Sequence, residues 1–314
     1  MSRTVTITGG SGFLGQLLRR GLVAEGWQVD VYDRFRGPLI DLLRRRHMAS
    51  ATSPYARRAA RAIRTVQTRT EPALVRARVI RAREDDILAP RELLTARFVG
   101  SEAVIHMAGI PHPYAPGASQ EDFVRLNYEA SVNVFEAARE ARVPTFVFVS
   151  SAQVYGISSP VRLEQLPVLE SNYLPLPAEG QSTYGFLKAA FERYLAGACV
   201  SGATQAVALR LEFPGFRSTE PWNLYVSTSV ENIVAGFSCA VQPPYDLGFG
   251  AFNLVDGEVD PTIVDIQAYI RERWPYVPNH TTGNQSLLST EKAQRLLGYR
   301  PVSNGRYVDA SLVW

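Results

Sequence analysis

Tyr184 and Lys188 stand four residues apart in Tyr184-Gly185-Phe186-Leu187-Lys188. On a helix that spacing puts a phenol and an ammonium on one face. A free phenol ionises near pH 10, too high for a base at neutral pH, and a neighbouring cation lowers that value. Such a phenol can take the proton of an alcohol, or return it. Lys188 is one of only two lysines, the other 31 basic residues being arginine, which marks it as a place where arginine does not serve. Ser150 and Ser151 follow an apolar, strand-like run, and a hydroxyl at such a strand end can hold the reacting oxygen against Tyr184. Ser151 is the first choice and Ser150 the alternative.

A second constellation opens the chain. Gly9-Gly10-Ser11-Gly12-Phe13-Leu14-Gly15 follows the run Val5–Thr8 and begins an amphipathic pattern over Phe13–Glu25, with Leu14, Leu17, Leu18 and Leu22 on one side. Gly9 permits a sharp turn, Gly12 lets backbone approach a pyrophosphate, and Gly15 lets the helix sit close to the sheet. The helix N-terminus, at Phe13 and Leu14, turns free N–H groups toward the phosphates. Glycines also mark ordinary turns. Here the sequence runs strand, turn, helix, then a second strand over Gln28–Tyr32 ending in Asp33, which is the dinucleotide fingerprint. A carboxylate at Asp33 accepts from both adenosine ribose hydroxyls and repels a 2′-phosphate, so NAD is favoured. Arg34 and Arg36 follow and could neutralise such a phosphate, which leaves NADP open.

These groups need a scaffold, and the chain alternates β-rich runs with helical patterns. Further strands are predicted over Arg78–Ala82, Ala103–Met107, Thr145–Val149, Gln205–Leu211 and Ala251–Leu254, with helices over Phe123–Glu140 and Tyr184–Leu195. The expected fold is α/β: a doubly wound parallel sheet (Rossmann) with a small C-terminal substrate-binding domain. Residues 1–212 and 229–256 are assigned to the dinucleotide-binding domain. Residues 213–228 and 257–314 are assigned to the smaller, α-rich one. A Pro-rich loop spans Ser158–Gly180.

Residues 34–83 hold fourteen arginines against Asp41 and Glu71, a local charge of +12 in a chain whose total is +3, so the remainder is acidic. An anionic partner is expected for this insert: a phosphate, a nucleic acid, a protein or the acidic body itself. No basic and apolar leader pattern precedes the first strand, and no apolar run approaches the roughly 20 residues that span a bilayer. Cys199 and Cys239 fit no metal spacing and read as free thiols, with a reducing cytoplasm the expected location. No metal site is expected. His106, at a strand end, reads as a packed residue, whereas His112 reads equally as a structural loop residue or a second acid/base facing the substrate.

Taken together these residues resemble the extended short-chain dehydrogenase/reductase family, the NAD-dependent epimerase/dehydratase group. The matching pieces are the glycine turn, Asp33, Asp86-Ile87, His106-Met107-Ala108-Gly109, Asn127, Ser150-Ser151-x-x-Val154-Tyr155-Gly156, Tyr184-x-x-x-Lys188, Leu209-Arg210, and, near the end, Ser289-Thr290-Glu291-Lys292-Ala293 with Leu297-Gly298-Tyr299-Arg300-Pro301. The resemblance implies Asp86 and Ile87 near adenine, Ala108 and Gly109 along the cofactor, Lys188 on the nicotinamide ribose, and Asn127 supporting Ser151, Tyr184 and Lys188. It also implies a homodimer built from the helices carrying Asn127 and Tyr184.

Three departures narrow the reading. Glu212 or Phe213 stands where nucleotide-sugar enzymes carry an asparagine, and both become substrate candidates. Few residues separate Leu211 from the helix near Glu231, so the loop that clamps a nucleoside diphosphate has no counterpart. The dehydratase Thr-Asp-Glu appears as Ser151-Ala152-Gln153, without the acid that water elimination needs. The segment Trp222–Ser229 is similar to that of free-sugar dehydrogenases, although Leu224 takes the place of their carboxylate-binding arginine. The expectation is an oxidoreductase acting on a secondary alcohol of a small sugar, polyol or related metabolite. The alternatives are a sugar epimerase on bound NAD, and a non-catalytic protein that senses dinucleotides or binds nucleic acid.

Overall fold

In the computed structural model the Val- and Ile-rich runs pair into one six-stranded parallel sheet of order β2-β1-β5-β6-β7-β8. The structure describes residues 3–33, 35–36, 81–82, 86–115, 117–157, 163–172, 182–200, 203–303 and 305–308. The strands are β1 Thr4–Thr8, β2 Gln28–Tyr32, β5 Ala103–His106, β6 Thr145–Ser151, β7 Gln205–Leu211 and β8 Phe249–Asn253. Side chains alternate across a strand, and parallel strands covered on both faces are apolar on both. Val5, Ile7, Ala103, Ile105, Val147, Val207 and Leu209 accordingly join one core with helices α1, Phe13–Ala24, and α6, Val230–Val241. Val104, Phe146, Phe148, Ala206 and Ala208 join the other, with α2 Arg91–Phe98, α4 Ala130–Glu140 and α5 Thr183–Ala198. The sheet is thus doubly wound, as expected. Its strand order reverses between β1 and β5, which places a ligand crevice outside the carboxyl ends of those strands.

Two expectations are corrected. Of the strand expected over Arg78–Ala82, the described residues Arg81–Ala82 (β4) pair antiparallel with Phe35–Arg36 (β3) in a separate two-stranded ribbon and not with the main sheet. Its period-2 pattern was shared by any strand, and periodicity says nothing about the partner. Arg34 and the insert from 37 to 80 lie outside the described residues. Residues 257–303 are less helical than expected, with α7 Ile266–Arg273 and α8 Glu291–Leu297 set in irregular chain.

The remaining helix starts early. Ser119 caps α3, Gln120–Val124, through a reciprocal box with Asp122, and the chain passes through one π-helical turn, Arg125–Glu129, into α4. A third apolar cluster covers the carboxyl edge of the sheet beyond β6 and β7. It gathers Val154, Tyr155, Leu166, Val168, Leu224, Val226, Val255, Ile266 and Leu287. Leu166 and Val168, from the Pro-rich segment, thereby pack with the C-terminal region, tied to it by bridges to Asn279 and Leu288.

Candidate active site

Gly9 turns the chain out of β1 at φ 72°, and its N–H donates to the Tyr32 carbonyl at 2.9 Å. A Cβ there would lie 2.9 Å from the Ala108 backbone, and one on Gly15 would lie 2.4 Å from Gly10 Cα. The glycines therefore let three backbone segments converge where a side chain would fill the space. No side chain caps the first turn of α1, at Phe13 and Leu14, beyond Gly12. Its N–H groups and dipole suit a pyrophosphate. Asp33 follows β2, and its Oδ2 accepts from Ser11 N–H at 2.9 Å, joining the acidic end of that strand to the turn. Tyr32 donates its hydroxyl to the Asp86 carbonyl at 3.0 Å, which brings Asp86 and buried Ile87 to the same strand end. Asn133 holds that segment by donating to the carbonyls of Ile87 and Ala89. The residues present fit a dinucleotide.

Asn127 lies on the π-helical turn, a feature frequent at functional sites. Its Oδ1 accepts from Ile110 N–H at 2.7 Å and its Nδ2 donates to the Ile110 carbonyl at 3.0 Å. The amide thus pins the loop that carries Ala108 and Gly109. The contacts it makes are to that loop rather than to Ser151, Tyr184 or Lys188.

Helix α5 delivers Tyr184 and Lys188. Ser182 caps it, its Oγ accepting from Gly185 N–H at 3.1 Å. Tyr184 is buried, with the Ser151 hydroxyl near enough to bear on its phenol. Lys188 donates to the Val149 carbonyl at 2.7 Å, with its Nζ 4.5 Å from the Phe148 ring centre and 5.5 Å from that of Tyr184. Burial pushes the Lys188 ammonium down to about 7. Burial, and then the charge of Glu212, hold the Tyr184 phenol above its ordinary value, while the Ser151 hydroxyl pulls it down. In the protein alone desolvation sets the direction of the Tyr184 shift.

The adjacent serines part company. Successive strand residues face opposite sides. Ser151 turns to Tyr184 and accepts from Gln153 N–H at 3.2 Å. Ser150 donates at 2.5 Å to Glu192, which also takes a bidentate bond from fully buried Arg210. Ser150 therefore belongs to a buried ion-pair network with Arg210 and Tyr155 rather than to the crevice. His106 is packed as expected, between Thr8 and Ser131, and burial pushes it down to about 3. His112 is partly buried in its loop, its Nδ1 accepting from Tyr114 N–H at 3.2 Å, and burial lowers it.

Glu212 follows β7 directly, beside the end of β6. Gln153, which sequence reasoning did not select, donates toward its carboxyl at 3.5 Å. Burial pushes Glu212 up to about 8. Phe213 holds a left-handed backbone, φ 44°, with its ring edge-on to Phe216 and Trp222. Phe216 in turn stacks on Phe13 at 5.0 Å. The only sequence signal for Gln153 was its place where dehydratases carry an acid.

Residues 5–214 match the model of the family described as "NAD dependent epimerase/dehydratase family". A UDP-glucose 4-epimerase of Schizosaccharomyces pombe is 28% identical over 217 residues, 68% of this chain and 52% of that protein. The chain therefore spans about half the length of this curated relative. A UDP-glucuronic acid 4-epimerase from Bacillus cereus, solved in complex with NAD, is 19% identical with a TM-score of 0.62, covering 99% of this chain and 98% of that one. A mutated uronate dehydrogenase is 16% identical with a TM-score of 0.60, covering 100% and 84%. At these identities the two structures share the fold.

Proposed function

This chain belongs to the NAD-dependent epimerase/dehydratase family, and from that premise we propose that it is an NAD-dependent oxidoreductase acting on a secondary alcohol of a free sugar, polyol or similar small metabolite. The observation that carries the reading is Tyr184, buried at the carboxyl edge of the sheet beside Ser151, on the same edge as the glycine turn. Bound NAD supplies the hydride acceptor or donor. Ser151 orients the reacting oxygen, and Tyr184 takes or returns its proton. Lys188, anchored on Val149, lies where it holds the cofactor ribose and adds positive charge beside the phenol. Gly9, Gly12, Phe13, Leu14, Gly15, Asp33, Asp86, Ile87, Ala108 and Gly109 form the cofactor cradle, and Asn127 positions its loop.

A free rather than nucleotide-linked substrate is supported by residues 212–229. They close on themselves through the Pro214–Thr228 bridge, with Gly215 N–H donating to the Thr228 carbonyl at 2.7 Å, and span only from β7 to α6. We assign this loop and residues 257–303 to the substrate-binding region, with the 163–170 segment that packs on it. The identity to a UDP-glucose 4-epimerase favours a second reading, oxidation and re-reduction of one substrate on retained NAD. The same proposal includes a homodimer through α3, the π-helical turn and α5, where exposed Val124 and half-buried Tyr128 and Phe186 leave apolar surface. It also includes an anionic partner for residues 34–83, and a cytoplasmic location. Among the described residues no helix is long and apolar enough to cross a membrane.

The test is a screen of free aldoses, uronates and polyols with NAD and NADP. NADH formation is expected, lost at least about a hundredfold in Tyr184→Phe. Substrate interconversion without net NADH selects the epimerase, and neither outcome rejects the assignment.

A further inference from the structure

Glu212 is a carboxyl with little reason to be buried. It is 5% exposed, and among the described residues its one side-chain hydrogen bond comes from Gln153 Nε2 at the long distance of 3.5 Å. The nearby cations are engaged elsewhere. Arg210 is bound to Glu192, and Lys188 to the Val149 carbonyl. A carboxylate removed from water without a counter-charge costs several kcal/mol, so such a position persists where the carboxyl has a use.

Its placement indicates the use. In the β6–β7 register Ser151 pairs with Leu211, so Glu212 comes next to the turn that begins after Ser151. Its charge is near enough to raise the Tyr184 phenol. Gln153 bridges them along the wall, its N–H on Ser151 Oγ and its side chain toward Glu212. Tyr184, Ser151, Gln153 and Glu212 form a continuous polar row, each largely but not wholly covered. A substrate oxygen seated on Tyr184 and Ser151 puts the next carbon's substituent against Glu212 and Gln153.

We propose that Glu212 and Gln153 determine specificity by gripping a hydroxyl on the carbon beside the one that exchanges hydride. The site then takes an uncharged sugar or polyol with vicinal hydroxyls, and discriminates against a carboxylate or phosphate at that carbon. This rests on the oxidoreductase reading above and narrows it. A protonated carboxyl both donates and accepts, as does a hydroxyl, so the two are complementary. With Glu212 held up to about 8, that form prevails at neutral pH. A substrate anion would find no counter-charge there, since Arg210 is bound to Glu192 and Lys188 to Val149. Phe213, the next residue, adds a half-buried ring edge-on to buried Phe216 and exposed Trp222, and apolar walls with a few convergent polar groups suit a carbohydrate.

The experiment uses glucose and galactose, their 2-deoxy forms and their 2-phosphates. Each is assayed for turnover by the NAD-loaded enzyme and titrated calorimetrically into NAD-loaded Tyr184→Phe. The variants are Glu212→Leu and Glu212→Gln, with NAD affinity as the folding control. The parent sugars are expected to exceed the 2-deoxy forms in kcat/KM by at least about tenfold, since an analogue lacking a bound hydroxyl leaves buried polar groups unpaired. They are also expected to bind more tightly than the 2-phosphates. Glu212→Leu should bring the parent-to-deoxy ratio to within about threefold of unity, and Glu212→Gln should keep most of it. Glu212→Asp, which withdraws the carboxyl, replaces Glu212→Leu if that variant does not bind NAD. Turnover with the same ratio in wild type and variant, or a preference for the 2-phosphates, overturns this inference and leaves the oxidoreductase standing. Neither turnover nor binding of any of these sugars overturns this inference too, and the oxidoreductase falls with it only when the wider screen of aldoses, uronates and polyols also yields no turnover.

Discussion

A Cβ on Gly185 would lie 2.3 Å from the carbonyl oxygen of Gln153. Helix α5 therefore rests directly on the turn after β6, and this contact sets how closely Tyr184 approaches Ser151. The obstacle is backbone, which cannot swing aside as a side chain can. Gly185→Ala should displace the start of α5 and lower kcat on the order of a hundredfold, as misplacement of a reacting group by about 1 Å does. NAD affinity should change much less, because the glycine turn lies on β1. Steady-state kinetics beside cofactor titration checks this, and an unchanged kcat would mean the contact does not set the geometry.

Ser150 and Ser151 should separate stability from chemistry. Ser151→Ala removes the hydroxyl on Tyr184 and is expected to cut kcat/KM at least about tenfold with little change in unfolding midpoint. Ser150→Ala takes a donor from buried Glu192 and should cost about 1.5–3 kcal/mol of stability, the worth of a hydrogen bond to a charged group, while kcat/KM holds. Urea denaturation and kinetics of the two variants decide it. The reverse pattern would exchange their roles.

Asp33→Asn keeps an acceptor for Ser11 and removes the charge. The ratio of kcat/KM for NADP over NAD should rise at least about tenfold, because the repulsion of a 2′-phosphate is gone. A ratio that stays put would remove Asp33 from the ribose site.

Glu212 and Lys188 predict opposite slopes of stability against pH. Glu212 is raised from 4.5 to about 8. Between those values the folded protein keeps a proton that the unfolded chain has released, so stability falls as pH rises and levels off above about 8. Lys188 is lowered from 10.5 to about 7. In that window the unfolded chain holds the extra proton, so stability rises with pH. Glu212→Gln should therefore remove a loss of on the order of a few kcal/mol between pH 5 and 8, at about 1.4 kcal/mol per pH unit. Urea midpoints of both proteins across that range provide the measurement. Parallel curves would place Glu212 ionised in the native state.

The sequence by itself determined the doubly wound sheet, the glycine turn and the Tyr184–Lys188 pair. These are local: strand and helix periods, a turn that only glycine permits, and an i to i+4 spacing all act within a few residues. Tertiary structure alone decided what those groups meet. Which of two adjacent serines faces Tyr184 depends on the registry of β6 against α5, and Gln153 and Glu212 converge from two different strands' ends. Arg81–Ala82 pairs with Phe35–Arg36 instead of the main sheet, a choice of partner that no local pattern encodes. The direction of the Tyr184 shift also came from the fold, because the cost of burial depends on everything packed around a group, whereas spacing in the chain records one neighbour.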